Sequence, residues 1–247
     1  MPGFLNAGLW GLLGGAALIL GALAGLYLKL SKRVISSVMA VGAGVLVSAV
    51  AFDLMDEAFH EGGFDAAAIG LTLGAVVYFV ADLLVNRAGA HHRKRSQDQQ
   101  DTSAEGGSAI FLGALLDGIP ESLAIGVSLL GGAGVSWVFV AAVFLSNVPE
   151  GLSGAAGMRR AGRSTRYVLG LWIAVMIASG VAAALGYVLL RGVDPDIIAG
   201  IQAFAAGAVL AMLASTMMPE AYEEGGPLVG LLTALGFLLA FVLGKLD

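Results

Sequence analysis

The chain contains no cysteine, and only 13% of its 247 residues are charged. Without cysteine there are no disulfides, no thiolate metal sites and no cysteine nucleophiles. The shortage of charge excludes an ordinary soluble domain, which carries about twice that fraction. Histidine is nearly as scarce: His60, His91 and His92 are the three, and none lies inside an apolar run. The opening stretch "MPGFLNAGLWGLLGGAALIL" lacks the basic start of a signal peptide, and its length suits a first membrane span.

Apolar residues fill what is left, with 58% hydrophobic and a mean hydropathy of +0.88. Runs of eighteen or more can each cross ~30 Å of hydrocarbon at ~1.5 Å per residue. The expected fold is therefore an all-α integral membrane protein, one transmembrane domain over residues 1–247. Eight spans are expected, near 6–28, 35–55, 66–86, 108–130, 137–158, 167–190, 197–218 and 228–246. The 37 glycines suit helices packed at close approach.

The net charge of −5 says less than where the basic residues lie. Lys29, Lys32 and Arg33 fall in the first connection, and Arg87, Arg93, Lys94 and Arg95 in the third. Arg159, Arg160, Arg163 and Arg166 fall in the fifth, so alternate connections take 11 of the 13. The positive-inside rule then makes those connections cytoplasmic and both termini extracytoplasmic. The long third connection, 87–107, is polar and reads as a solvated loop, in which His91 and His92 are either loose metal ligands or plain surface residues.

The chain also repeats itself. "AVGAGVLVSAVAFDLMDEAFHEGG" (40–63) aligns without a gap on "AFAAGAVLAMLASTMMPEAYEEGG" (203–226), ten of 24 positions being identical. The offset of 163 lays span 2 over span 7, five crossings apart, and an odd number of crossings reverses direction. The expected layout is a 3+2+3 inverted repeat: spans within 6–86, central helices within 108–158, then spans within 167–246. Such repeats characterise alternating-access transporters, whose site lies near the midplane.

The central pair carries the unusual chemistry. "LLDGIPESLAIG" (115–126) and "FLSNVPEGLSGA" (144–155) each place Pro-Glu inside an apolar span, 29 residues apart. Asp117 and Glu121 share one helix face at i, i+4, as do Ser146 and Glu150, and Asn147 joins the second face at i, i+3. Pro120 and Pro149 free the carbonyls of Leu116 and Leu145. Ionisable groups at that depth cost ~3 kcal/mol each and mark ion or proton paths. Three carboxylates, an amide oxygen, a hydroxyl and two freed carbonyls make an oxygen-rich cage suited to a divalent cation. The plainer alternative is a pair of proline kinks with hydrogen-bonded acids.

On these residues the chain resembles the ZIP (Zrt/Irt-like) family of divalent metal transporters. Pro120-Glu121 and Pro149-Glu150-Gly151 match that family's H-N-x-P-E-G motif in span 4 and its H-x-x-P-E motif in span 5. The likeness covers nearly the whole chain. It implies eight spans with both termini outside, metal passage between spans 4 and 5, and an inner (plasma) membrane location. A divalent metal ion would be the substrate, zinc first and manganese, iron or cadmium next. The implied partners are the lipid bilayer, metal ions and a second copy of the chain, with no nucleic acid. The chain departs from the motifs at Asp117-Gly118, where the family has His-Asn, at Ser122 in place of glycine, and at Ser146 in place of histidine. Span 6 carries no acidic residue, so one metal position is expected and not two. An oxygen-only shell favours harder ions relative to zinc.

Two flanking clusters complete the candidates. Asp53, Asp56, Glu57, His60 and Glu61 lie at the outer end of span 2, where they would gather cations at an entrance; Glu220, Glu223 and Glu224 are their counterparts at an exit. A solvated helix end is the bland alternative for both. Met212, Met217 and Met218 read as packing residues, and Asp82 as an interfacial one. An enzyme is not expected: "GLSG" (151–154) matches the serine motif of intramembrane proteases, but no span supplies the histidine base. The rival reading is a non-transporting relative that senses metal or serves as a scaffold.

Overall fold

The computed structural model describes residues 1–28, 30–87, 104–130 and 136–246, and within them every regular element is helical. His91, His92 and the basic residues Lys29, Arg93, Lys94 and Arg95 lie outside the described residues. In chain order the helices are α1 (Gly3–Tyr27), α2 (Lys32–Ala49), α3 (Asp56–Val85), α4 (Ala104–Ser128), α5 (Trp137–Arg160), α6 (Thr165–Leu190), α7 (Pro195–Met212), α8 (Met218–Gly225) and α9 (Leu228–Lys245). Short polar residues set their starts. Ser31, Ser136 and Ser164 accept from the backbone N–H of Val34, Phe139 and Tyr167, and Asp194 caps α7 ahead of Pro195.

Seven of the described helical runs are long and apolar enough to cross a membrane, as in a multi-pass membrane protein. One of them, Lys32–Val85, is 54 residues long. A straight helix of that length would reach ~80 Å, well beyond the hydrocarbon thickness. It is broken at Gly63, where φ is 70° and ψ −171°, a conformation that suits glycine alone. Gly226, with φ 62° and ψ −152°, makes the same break between α8 and α9. Long apolar side chains cover the outside of the bundle, including Leu73, Val77 and Phe79 on α3 and Leu231, Leu235 and Leu239 on α9. Such a surface is stable against lipid and costly against water.

The two prolines do not break their helices: α4 runs through Pro120 and α5 through Pro149. Each removes one ladder bond, and neighbouring helices shelter what is freed. The Leu145 carbonyl opens toward Gly42 of α2, so it is covered by protein. The irregular turns lie elsewhere, in π-helical segments at Val50–Met55 and Leu213–Met217. Both begin where the 163-residue offset puts them in register, Val50 on Leu213. At the second, Thr216 returns its hydroxyl to the Met212 carbonyl, a side-chain bond that competes with the helical ladder.

Packing follows glycine. A Cβ on Gly44 of α2 would strike the Thr233 carbonyl of α9, and one on Gly236 would strike that of Val41. Their counterparts repeat the contact: Gly207 of α7 against the Leu71 carbonyl of α3, and Gly74 against that of Phe204. So α2 lies on α9 as α7 lies on α3. Likewise α5 packs mainly on α1 and α2, while α4 packs mainly on α6 and α7. The two central helices touch each other only briefly. The core is small-residue and aliphatic, with Met39, Met212 and Met217 buried in it as packing groups.

Candidate functional site

Asp117 and Glu121 are both buried, 2% and 3% exposed, as their shared helix face requires. Asp117 has a partner that spacing alone did not indicate: the phenol of Tyr78, on α3, donates to its Oδ1 at 2.6 Å. Tyr78 is itself buried, so α3 supplies a polar group to the centre of the bundle. One turn on, Ser122 donates to the Gly118 carbonyl.

On α5, Ser146 and Asn147 are buried and Glu150 is half-buried. The Ser146 hydroxyl donates back to Val143 of its own helix, 2.9 Å away. Its Cα lies close to Gly42 of α2, which the Met217 methyl also approaches. Asn147 Nδ2 donates to the Gly14 carbonyl of α1 at 3.1 Å. Gly14 also faces Val143 of α5 and Ile125 of α4, so α1 is the element between the two motif helices. Among the described residues no three acidic or histidine side chains converge closely enough to hold a metal ion. Asp117 and Glu121 are thus buried and Glu150 half-buried, without the three closing into a carboxylate cage.

The outer cluster is divided by its helix. Asp56 and His60 are exposed and face each other at 3.6 Å. Glu57 turns inward and accepts from Gln202 Nε2 of α7 at 2.8 Å. Glu57, Glu61 and Gln202 line an opening of about 170 Å³ with Val127 of α4, Leu130 just past its end and Pro195 of α7. Asp53, on the π-helical turn, lies near Ser136 and Lys245. Three connections, near residues 56–65, 130 and 195, therefore share one end of the bundle. Gln202, the one glutamine in an apolar run, carried a signal that the sequence reading missed.

At the other end Glu220 is nearly buried, Glu223 exposed, and Glu224 paired with Lys32 at 3.2 Å. A cavity of about 550 Å³ there is lined by Leu28, Leu30 and Ser31 together with Arg159 and Arg160. The first connection, the end of α5 and the α8–α9 turn are neighbours at this end. Asp82, near the end of α3, accepts from Asn86 at 2.9 Å.

No family model matches the chain. Over 215 residues, 86% of its length, the chain is 23% identical to a protein of Arabidopsis thaliana whose name proposes a zinc-transporter role. The chain spans about a third of that protein, 34% of its length.

Proposed function

We propose that the chain is a transporter of divalent metal cations, zinc or a related transition metal such as manganese, iron or cadmium, and not an enzyme. It would move them toward the cytoplasm across the cell's inner membrane, as a homodimer, with eight crossings and both termini outside. The observation that carries this reading is the burial of Asp117 and Glu121, with Glu150 half-buried, on two proline-interrupted helices inside an apolar bundle. Carboxylates are held at such depth for an ion path, because an apolar side chain would be cheaper by ~3 kcal/mol. The resemblance to ZIP transporters and the similarity to a plant protein proposed to carry zinc point the same way.

The packing supports the inverted repeat. The pairs α2–α9 and α7–α3 both close on glycine: Gly44 and Gly207 stand 163 residues apart, as do the glycine breaks at 63 and 226, while Gly74 and Gly236 are one residue out of that register. A reversal at Gly63 would divide the Lys32–Val85 run and make eight crossings from the seven apolar runs, two of which Gly226 already separates. Alternate connections would then lie at opposite ends, as the outer opening and the inner cavity have them. An opening lined by Glu57, Glu61 and Gln202 at one end and the Lys32–Glu224 pair at the other, with a buried acidic centre between, fit alternating access.

One observation favours the second reading, a metal sensor or scaffold that does not transport: the three central carboxylates do not converge. Metal uptake into proteoliposomes separates the two. Wild type should accumulate Zn²⁺ or Mn²⁺, and the Glu121→Gln and Glu150→Gln variants should accumulate neither while still folding. Metal binding without uptake by wild type would establish the sensor, and normal uptake by the double Gln variant would remove the central site altogether.

A further inference from the structure

We propose that the inner cavity between the α1–α2 connection and the end of α5 is a binding site for the headgroup of an anionic phospholipid. It holds about 550 Å³, and its wall divides into two chemistries. Leu28, Leu30 and Leu152 line it with apolar surface, while Arg159 and Arg160 bring two guanidinium groups. Among the described residues no carboxylate pairs with either arginine. Lys32, nearby, is by contrast held by Glu224 at 3.2 Å. The two arginines are thus exposed cations at the rim of a half-apolar cavity. That combination fits a phosphate diester carrying an acyl chain: guanidinium binds phosphate oxygens as a fork, and leucine surface takes the chain.

Position supports the assignment. The cavity lies where two helix ends and their basic flanks meet the edge of the apolar bundle, the depth at which phospholipid headgroups lie. Basic pockets between transmembrane helices at such a boundary hold anionic headgroups. Tyr27, 66% exposed at the rim, is the residue type that prefers this interface. The cavity does not serve the metal. Two unpaired arginines repel a divalent cation, and the floor is closed where Gly25 meets the Leu152 carbonyl. The site is therefore independent of Glu121 and Glu150.

The test measures binding of fluorescent phosphatidylglycerol to the full chain in a neutral detergent, with phosphatidylcholine and inorganic phosphate as competitors. Unlabelled phosphatidylglycerol should displace the probe, and neither phosphatidylcholine nor phosphate should do so at equal concentration. Arg159→Gln and Arg160→Gln should each weaken binding about five-fold, and the double variant roughly thirty-fold, the size expected of one surface cation apiece. Ala156→Phe fills the cavity with both arginines kept, and should weaken binding as much. Unliganded thermal midpoints equal to wild type would exclude misfolding as the cause. Displacement by phosphate as strong as by phosphatidylglycerol would replace the lipid with a small-anion site. Equal displacement by phosphatidylcholine, or undiminished binding by both the double Gln and Phe variants, would overturn the proposal.

Discussion

Lys32 and Glu224 meet at 3.2 Å across 192 residues of chain, while the residues that stand 163 positions from them, Pro195 and Glu61, line an opening instead. The same place in each half is thus bridged at one end of the bundle and open at the other. The difference traces to one residue: proline has no charge to offer Glu61, and lysine closes on Glu224. Under the proposed topology and alternating access, this would be an outward-open arrangement with its inner end latched.

The latch makes a prediction. Lys32→Gln keeps a hydrogen-bonding side chain but loses the charge. Because Lys32 is half exposed, the effect on stability should stay within ~1 kcal/mol. The effect on access should be larger. Ser36 is buried against Gly225 just beneath the pair, so a cysteine there is protected while the end stays closed. Thiol labelling of Ser36→Cys should speed up several-fold when Lys32→Gln is added. An unchanged labelling rate would mean the ion pair decorates that end without closing it.

The proposed eight-crossing topology predicts sidedness. Asp65, just past the Gly63 break, and Arg166, at the start of α6, are both exposed. Cysteines placed there should be labelled by an impermeant thiol reagent from opposite faces, Asp65→Cys from outside and Arg166→Cys from the cytoplasm. Labelling of both from one face would remove a crossing between them and with it the inversion of the two halves.

Apolar run length made the helices legible, and most described elements begin and end close to the expected spans, but the runs over spans 2 and 7 continue past 55 and 218 to the glycine breaks at Gly63 and Gly226. What the sequence hid is long-range. Tyr78 reads as one more apolar residue of its span until α3 is packed against α4, 39 residues away, where its hydroxyl meets Asp117. Gly14 contributes through a carbonyl, which no residue code announces. The prolines cost their helices a ladder bond without ending them, since a missing bond need not break a helix that its neighbours hold. The π-helical turns had no composition signal: Val50–Met55 and Leu213–Met217 share a register but few residues.

Matched glycines predict matched penalties. Gly44→Ala would drive a methyl into the Thr233 carbonyl, and Gly207→Ala into that of Leu71. Neither obstacle is a flexible side chain, so the helices must part, at ~1–3 kcal/mol for each substitution. Thermal unfolding in detergent should register two similar losses. Gly230→Ala is the control: it lies inside α9 with open space around its Cβ direction, and should be neutral or stabilising by up to ~1 kcal/mol. A harmless Gly207→Ala beside a damaging Gly44→Ala would show that the two halves do not pack alike.

Asp117 and Ser146 both stand where the ZIP motifs place histidine, but only one of them offers a clean test. A histidine at 146 would enlarge a buried side chain whose hydroxyl is already bonded to Val143, and overpacking of a buried site costs ~1–3 kcal/mol by itself. At 117 the substitution keeps an acceptor for the Tyr78 hydroxyl, since a neutral imidazole has one free nitrogen. The new ring would lie one turn from Glu121 on the same buried face, forming an i, i+4 His-Glu pair. Asp117→His should therefore fold, and thermal unfolding should differ little from wild type. If residue 117 contacts the ion, trading carboxylate for imidazole moves preference toward zinc, because Zn²⁺ gains more from nitrogen than Mn²⁺ does. Competitive binding of Zn²⁺ and Mn²⁺ to purified wild type and Asp117→His should show the Zn:Mn ratio rising by about ten-fold, the order of ~1.4 kcal/mol between the two ions. An unchanged ratio in a folded variant would assign Asp117 to Tyr78 alone and leave the metal to Glu121, Glu150 and Asn147.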